Sequence, residues 1–305
     1  VLKPALIILL FLGSRSLLAA PCCGGGSSAL SLLGDEEKRQ VSVSASYQSI
    51  VADVAASPEA EAILRNADDN EVRQRWETSW AELLSPRWQW NLVVPVDHRS
   101  RQRGATSVQS TGMGDIQAGL GYEFMPEWSY SSWRPRGIAY FRATLPTGRA
   151  SWEAQMPLGV DTHGLGFLSF SGGLYFTKIW RAWDAIAWGQ LQQGLPRTVE
   201  SPFVYKLSPG LSASAGAALG YSLGDWRLGA SWATNWDPEM ERSGGASGVI
   251  PGARLSTVTA GLSYLYEKSW SVTLLYSDQV FAGGAHNSAL GRGLSALFRT
   301  RWERN

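Results

Sequence analysis

Residues 291–302 read G-R-G-L-S-A-L-F-R-T-R-W. Leu294, Ala296, Phe298, Thr300 and Trp302 share one parity, and Ser295, Leu297, Arg299 and Arg301 share the other. Successive side chains of an extended strand point to opposite faces, so this stretch predicts a strand with a mostly apolar face and a face that carries charge. A single amphipathic strand fits many sheets. Repeated along a whole chain, it leaves the question of which solvent each face meets.

Working outward, the period recurs. Val43, Ala45 and Tyr47 alternate with Ser42, Ser44 and Ser46, and Trp76, Thr78 and Trp80 with Arg73, Arg75, Glu77 and Ser79. Trp88, Trp90, Leu92 and Val94 oppose Gln89 and Asn91, and Leu120, Tyr122 and Phe124 oppose Gly119, Gly121 and Glu123. Phe141 and Leu145 lie opposite Tyr140, Arg142 and Thr144. The sixth and seventh strands are expected at about 165–176 and 184–192, with apolar residues on both faces. Leu211, Leu219 and Tyr221 then alternate with Ser212, Ser214, Gly216 and Gly220, and strands led by Trp226, Val258 and Trp270 precede the last one. The total is twelve, with tight turns at Ser85, Lys178, Leu223 and Lys268 and long connections near residues 52, 97, 146, 194, 236 and 278. Residues 52–71 read as a polar loop with a short helical piece, 97–111 as a charged loop, and 125–136 as the one tight-side connection of unusual length. Short turns at one end and long loops at the other predict an all-β, up-and-down transmembrane barrel of twelve antiparallel strands, with both termini on the short-turn, periplasmic side.

Composition agrees. Fifteen tryptophans and 33 glycines in 305 residues are unusual for a soluble enzyme, and Trp favours surfaces that are apolar on one side and wet on the other. Trp80, Trp88, Trp180, Trp183, Trp226, Trp270 and Trp302 cluster beside the tight turns, as a membrane-interface girdle requires. The net charge of +1 gives no reason to expect a nucleic-acid partner. Lys3, the apolar run 5–13 and the small residues around Ala19 and Ala20 have the layout of an export signal, and the run is too short to span a membrane as a helix. The expected division is an export signal at 1–23, a Gly/Ser-rich polar segment at 24–39 and a barrel at 40–305, placed in the bacterial outer membrane. The adjacent Cys22 and Cys23 make a strained pair for a disulfide. Lipidation of Cys22 or Cys23 before the Gly/Ser tether and a plain spacer both remain open. Two thiols without a third ligand make no metal site.

With the apolar faces in lipid, the opposite faces line a lumen that carries Arg73, Arg75, Glu77, Asp115, Glu123, Arg142, Asp184, Arg227, Arg299 and Arg301. Unpaired charge in a dry interior is costly, so these groups either pair across strands or meet water. Closure brings Arg299 and Arg301 towards the serines of the first strand and towards Glu77. One reading is an Arg-biased selectivity lining, and the other is a structural ladder that fills a narrow barrel.

Gly112-Met113-Gly114-Asp115, followed by I-Q-A-G-L-G-Y, and the later Leu145-Pro146-Thr147-Gly148 resemble motifs of the bacterial outer-membrane family named for the phenol meta-cleavage pathway. The resemblance extends over about residues 70–300 by strand layout, and it implies an outer-membrane barrel acting as a channel. The expected function is therefore passive diffusion of small solutes, aromatic or anionic compounds among them, without cofactor. Expected partners are outer-membrane lipids, the solutes, and the barrel-assembly machinery through the C-terminal strand. A non-conducting structural or attachment barrel is the alternative. A surface hydrolase at the rim is a further one, since Asp97-His98 and Asp161-Thr162-His163 would pair a base with a carboxylate there. No residue is assigned as catalytic.

Overall fold

The period-two segments become strands because alternation lets a pleated backbone send one set of side chains to each solvent while every peptide group bonds to a neighbouring strand. The computed structural model describes residues 32–57, 61–127, 131, 133–200, 204–245, 247–267 and 269–303. The expected export signal, Cys22, Cys23 and the turn residue Lys268 lie outside the described residues.

Along the chain, β1 (Glu37–Val54) and the short β2 (Ala62–Leu64) precede β3 (Asp69–Leu83), β4 (Trp88–Arg103), β5 (Thr106–Met113), β6 (Ile116–Met125) and β7 (Arg136–Leu145). Next come β8 (Ser169–Trp180), β9 (Trp183–Gly194), the short β10 (Arg197–Val199) and β11 (Tyr205–Ser208), then β12 (Leu211–Leu223) and β13 (Trp226–Asp237). Short β14 (Met240–Gly244) and β15 (Gly248–Ile250) lead to β16 (Ala253–Tyr266), β17 (Trp270–Asp278) and β18 (Ser288–Glu303). Antiparallel neighbours follow the order β1-β3-β4-β6-β7-β8-β9-β12-β13-β16-β17-β18, and β18 returns to β1, closing a barrel of 12 strands. The seam is long and in phase: Val43 faces Phe298, and Ser42 faces Arg299.

Burial is inverted relative to a water-soluble domain. Leu274 is 57% exposed on the outer face, whereas Asp184 on the inner face is 0% exposed. Val43, Phe141, Leu219, Leu228 and Phe298 are exposed, and Ser42, Gln89, Asn91, Arg142 and Arg227 are buried. Burying a large aliphatic or aromatic side chain is worth about 1.5–3 kcal/mol, so a belt of such residues left outside requires an apolar surrounding.

Several boundaries differ from the sequence reading. Within 52–71, expected to be a loop with a short helical piece, β1 runs on to Val54, β2 pairs with its end, and β3 already starts at Asp69. The 97–111 segment is a hairpin, since β4 and β5 pair from Val96 with Met113 to Arg103 with Thr106, and the turn uses Gly104 at φ +58. Charged side chains hid these strands because beyond the membrane both faces of a β-ribbon meet water. Lys178 sits inside β8, and the tight turn falls at Arg181 and Ala182 instead. Residues 165–168 do not belong to the sixth barrel strand, because Leu165 and Phe167 are held elsewhere. At the long-loop end, β10, β11, β14 and β15 form a separate small sheet.

Candidate functional site

Strand parity places Arg73, Arg75 and Glu77 of β3, Glu123 of β6, Arg142 of β7, Asp184 of β9, Arg227 of β13 and Arg299 and Arg301 of β18 on the inner side, and Asp115 sits buried at the β5–β6 junction. Many are paired. Arg227 donates to Asp184 through Nε at 2.7 Å and through Nη2. Arg136 donates through Nη2 to Glu123 at 2.7 Å. The expected approach of Arg301 to Glu77 is not found: its Nη1 donates to Glu37 at 3.2 Å, and Glu77 lies 3.6 Å from Arg75. Antiparallel pairing sets Arg301 opposite Gln40, close to Glu37 at the start of β1, whereas Glu77 is level with Ser44 and Leu297.

Parity carried further would have exposed a cluster that sequence reasoning missed. Glu71 continues the phase of Arg73, Arg75 and Glu77, and Arg99 and Arg101 continue that of Asp97, but all three were assigned to loops. The Glu71 carboxylate, with a side chain 1% exposed, accepts from Arg65 at 3.0 Å, Arg73 at 2.7 Å and Arg99 at 3.0 Å. Aromatics also point inward. Tyr140 donates to Gln190 at 3.1 Å. The Trp188 indole lies flat over Gly216, where a methyl would come within 2.7 Å of the ring nitrogen. Tyr175 of β8 points inward and interacts electrostatically with Arg299 of β18, the strand opposite in the ring.

Residues 146–168 fold into the long-loop mouth against this inner face. Asp115 accepts from the Gly148 N–H at 2.9 Å and the Leu165 N–H at 2.6 Å. Thr147 Oγ1 donates to the Gly114 carbonyl at 2.7 Å and accepts from the Ile116 N–H at 3.0 Å. The two sequence motifs, around Gly112-Met113-Gly114-Asp115 and Leu145-Pro146-Thr147-Gly148, are thus one contact seen from both sides. Gly112 is where the His163 imidazole rests, and a methyl there would overlap the ring. Arg99 donates to Thr162 at 3.3 Å, and Ser110 Oγ lies 3.3 Å from His163 Nε2. Burial pushes His163 below the ordinary histidine range, with Asp97 pulling the other way. Burial alone would raise the Asp161 carboxyl, but the Gln155 N–H, the Arg149 guanidinium and the Met156 N–H outweigh it and hold the group at about 2. Phe167 packs with Val199 and Leu207, so the small sheet is seated on the same loop.

The expected Asp97-His98 pairing at the rim is corrected. These neighbours point to opposite sides of the wall, with Asp97 inward and His98 against Trp76 and Thr111. Asp97 shares its side of the wall with His163, which is seated in the mouth, and the two interact electrostatically. Among the described residues, no group of three or more His, Cys, Asp or Glu is placed to hold a metal. On the outside, Trp80, Trp88, Trp180, Trp183, Trp226 and Trp302 are exposed next to the tight turns. Trp270 stacks on Tyr266 at 4.9 Å, and Trp88–Tyr122 and Trp183–Tyr221 pair at 4.8 Å across strands.

No family model and no curated protein matches the chain. Among solved structures, an outer membrane channel from Pseudomonas putida F1 superposes with a TM-score of 0.67 at 12% identity, covering 88% of this chain and 99% of that one. The CymD monoaromatic hydrocarbon channel matches at TM-score 0.43 and 9% identity over 88% and 90% of the two chains. The NanC porin matches at 0.45 and 8% identity over 86% and 100%. At such identity the first of these likenesses establishes a shared fold, a closed antiparallel barrel.

Proposed function

We propose that this barrel is an outer-membrane channel through which small polar solutes, anionic or aromatic ones included, diffuse along an arginine-biased lumen. The carrying observation is the inverted burial: charge and hydroxyl groups line the inside of a closed wall whose outside is apolar. On this reading the outer belt meets lipid, the tight turns, the start of β1 and the end of β18 face the periplasm, and the long loops face outward. The C-terminal strand would then be the segment that the assembly machinery engages. Fixed charges act strongly in a narrow, poorly screened passage, so Arg142 and Arg299 are the groups expected to set ion preference.

Conductance of the refolded protein in a planar bilayer tests the reading. Discrete channel events are expected, and Arg142→Gln with Arg299→Gln should lower the anion-to-cation permeability ratio. Electrical silence of a barrel that keeps its heat-modifiable mobility would favour the scaffold. Ser110 Oγ lies 3.3 Å from His163 Nε2, and this contact helps to hold residues 146–168 against the wall.

A further inference from the structure

We propose that the inner face of β9 is a binding site for a pyranose sugar, with Trp188 as its platform and Gln190 and Gln192 as the groups that read hydroxyls. This rests on the channel reading and deepens it, because it names the class of solute that the lumen favours.

The sequence W-G-Q-L-Q at 188–192 puts Trp188, Gln190 and Gln192 on one parity, and β9 turns that parity inward. From the first to the last of them the strand rises about 13 Å, close to the length of a disaccharide. On one side the three stand opposite Gly216, Ser214 and Ser212 of β12. On the other they stand opposite Tyr175, Gly173 and Ser171 of β8. Glycine and serine thus flank both amides, and short neighbours leave the long chains reachable from the lumen. All three β9 side chains are half-buried.

Trp188 is laid down on the wall. A methyl at Gly216 would stand 2.7, 2.8 and 2.9 Å from the indole Nε1, Cε2 and Cζ2, three linked ring atoms at nearly one distance. The ring is therefore face-on to the glycine, and its other face is turned away from the wall. The amides are held with opposite ends free. Gln190 Oε1 accepts from the Tyr140 hydroxyl at 3.1 Å, which leaves the Nε2 hydrogens as donors. Gln192 Nε2 donates to Ser169 Oγ at 3.0 Å, which leaves Oε1 as an acceptor. Arg142, level with Gln192 across Ser171, is 5% exposed and already donates to Gln117 at 2.9 Å. The patch itself is uncharged.

One ring face with a donor and an acceptor in a row matches a pyranose, whose C–H face stacks on an indole and whose hydroxyls both donate and accept. An aromatic hydrocarbon would cover the ring but leave the amides unpaired, at a cost, and an anion would meet the Gln192 oxygen.

The test adds maltose, a neutral glucose disaccharide, to the refolded protein in a planar bilayer and follows the ion current. A bound sugar obstructs the lumen, so maltose should lower the current saturably. Trp188→Ala should raise the half-blocking concentration about tenfold, as expected for loss of one stacked ring face. Gln190→Ala should raise it about three- to tenfold, the worth of one neutral hydrogen bond, and Trp188→Phe should lose less than Trp188→Ala. Heat-modifiable mobility identifies the folded variants. Absence of block, an unchanged half-blocking concentration in the folded variants, or stronger block by benzoate than by maltose at equal concentration would overturn the proposal. Magnetisation transfer from the protein in micelles to maltose, read by NMR, separates the two ideas. Transfer that Trp188→Ala abolishes in an electrically silent barrel supports the sugar site and sinks the channel reading, whereas a conducting barrel with neither block nor transfer does the reverse.

Discussion

The two walls of the lumen are built differently. From β3 to β9 the inner face carries long charged and aromatic chains, including Glu71, Arg75, Arg99, Tyr140, Arg142 and Trp188. From β12 round to β1 it is mostly small or hydroxyl-bearing, as in Ser214, Gly216, Ser231, Thr259, Ser277, Gly293 and Ser44. Its charged chains, Arg227, Arg299 and Arg301, lie near the tight turns. Both inserted segments dock on the first wall, residues 146–168 through Asp115 and Leu33 through Gln89 and Arg136. One side of the barrel thus holds the inserted segments, and the other leaves room beside them.

The largest effect should come from breaking the pair that links the walls, Asp184 of β9 with Arg227 of β13. Asp184→Asn leaves a buried guanidinium without its counter-charge, which typically costs about 3–5 kcal/mol. Urea unfolding of the refolded barrel would show it, and a loss below about 1 kcal/mol, the scale of a solvated surface pair, would mean that the site is wet. Gly220 stands between the two, where a methyl would overlap both side chains, so Gly220→Ala should weaken the same pair from the bare wall.

Next in size is release of the inserted loop from the charged wall. Asp115→Ala removes the acceptor of two N–H groups, each charge-assisted bond contributing about 1.5–3 kcal/mol. Residues 146–168 should become cleavable at Arg149 by trypsin and single-channel conductance should rise, while Ser295→Ala on the other wall should change neither. Equal resistance to trypsin in Asp115→Ala would show that the loop is held by other contacts.

The smallest effect is that of pH on the same loop. Asp161 sits at about 2, below its ordinary value near 4, so its contribution is complete above about 4 and is lost as pH falls towards 2. His163 is pushed down by burial, which favours the neutral ring. Its contribution is complete above about 6.5 and declines as pH falls through the lowered value. Both act in the same direction, so acidification loosens the loop. Hydrogen exchange at the Gln155 and Met156 amides, corrected for intrinsic rate, should quicken on acidification. Asp161→Asn should remove the lower step, and a profile that stays flat from pH 7 to 3 would contradict the assignment.

Barrel strands were legible where one face met lipid and the other the lumen, because solvent contrast writes itself into parity. Where both faces meet water the contrast fades, and the ends of β1 and β4, the start of β3 and most of β5 read as loops although Glu71, Arg99 and Arg101 kept the phase. The lumen residues named from the sequence fell on the inner parity by the same rule, but their partners did not follow from it. Arg301 found Glu37 and not Glu77, because the register of the closing seam decides which residues lie level. His163 was seen as a rim residue, since nothing local says that the segment carrying it turns inward. The glycines at 112 and 114, beside the later Thr147 and Gly148, were the available signal.

The sequence by itself determined the strands, their two faces and the end at which the aromatics gather, because each of these follows from the pleat of the backbone and the solvent that each side chain prefers. Only the tertiary structure decided which connecting segments enter the barrel and what seats them. Those seats join residues as distant as Leu33 and Arg136, or Asp115 and Leu165, which converge only when the sheet has closed on itself.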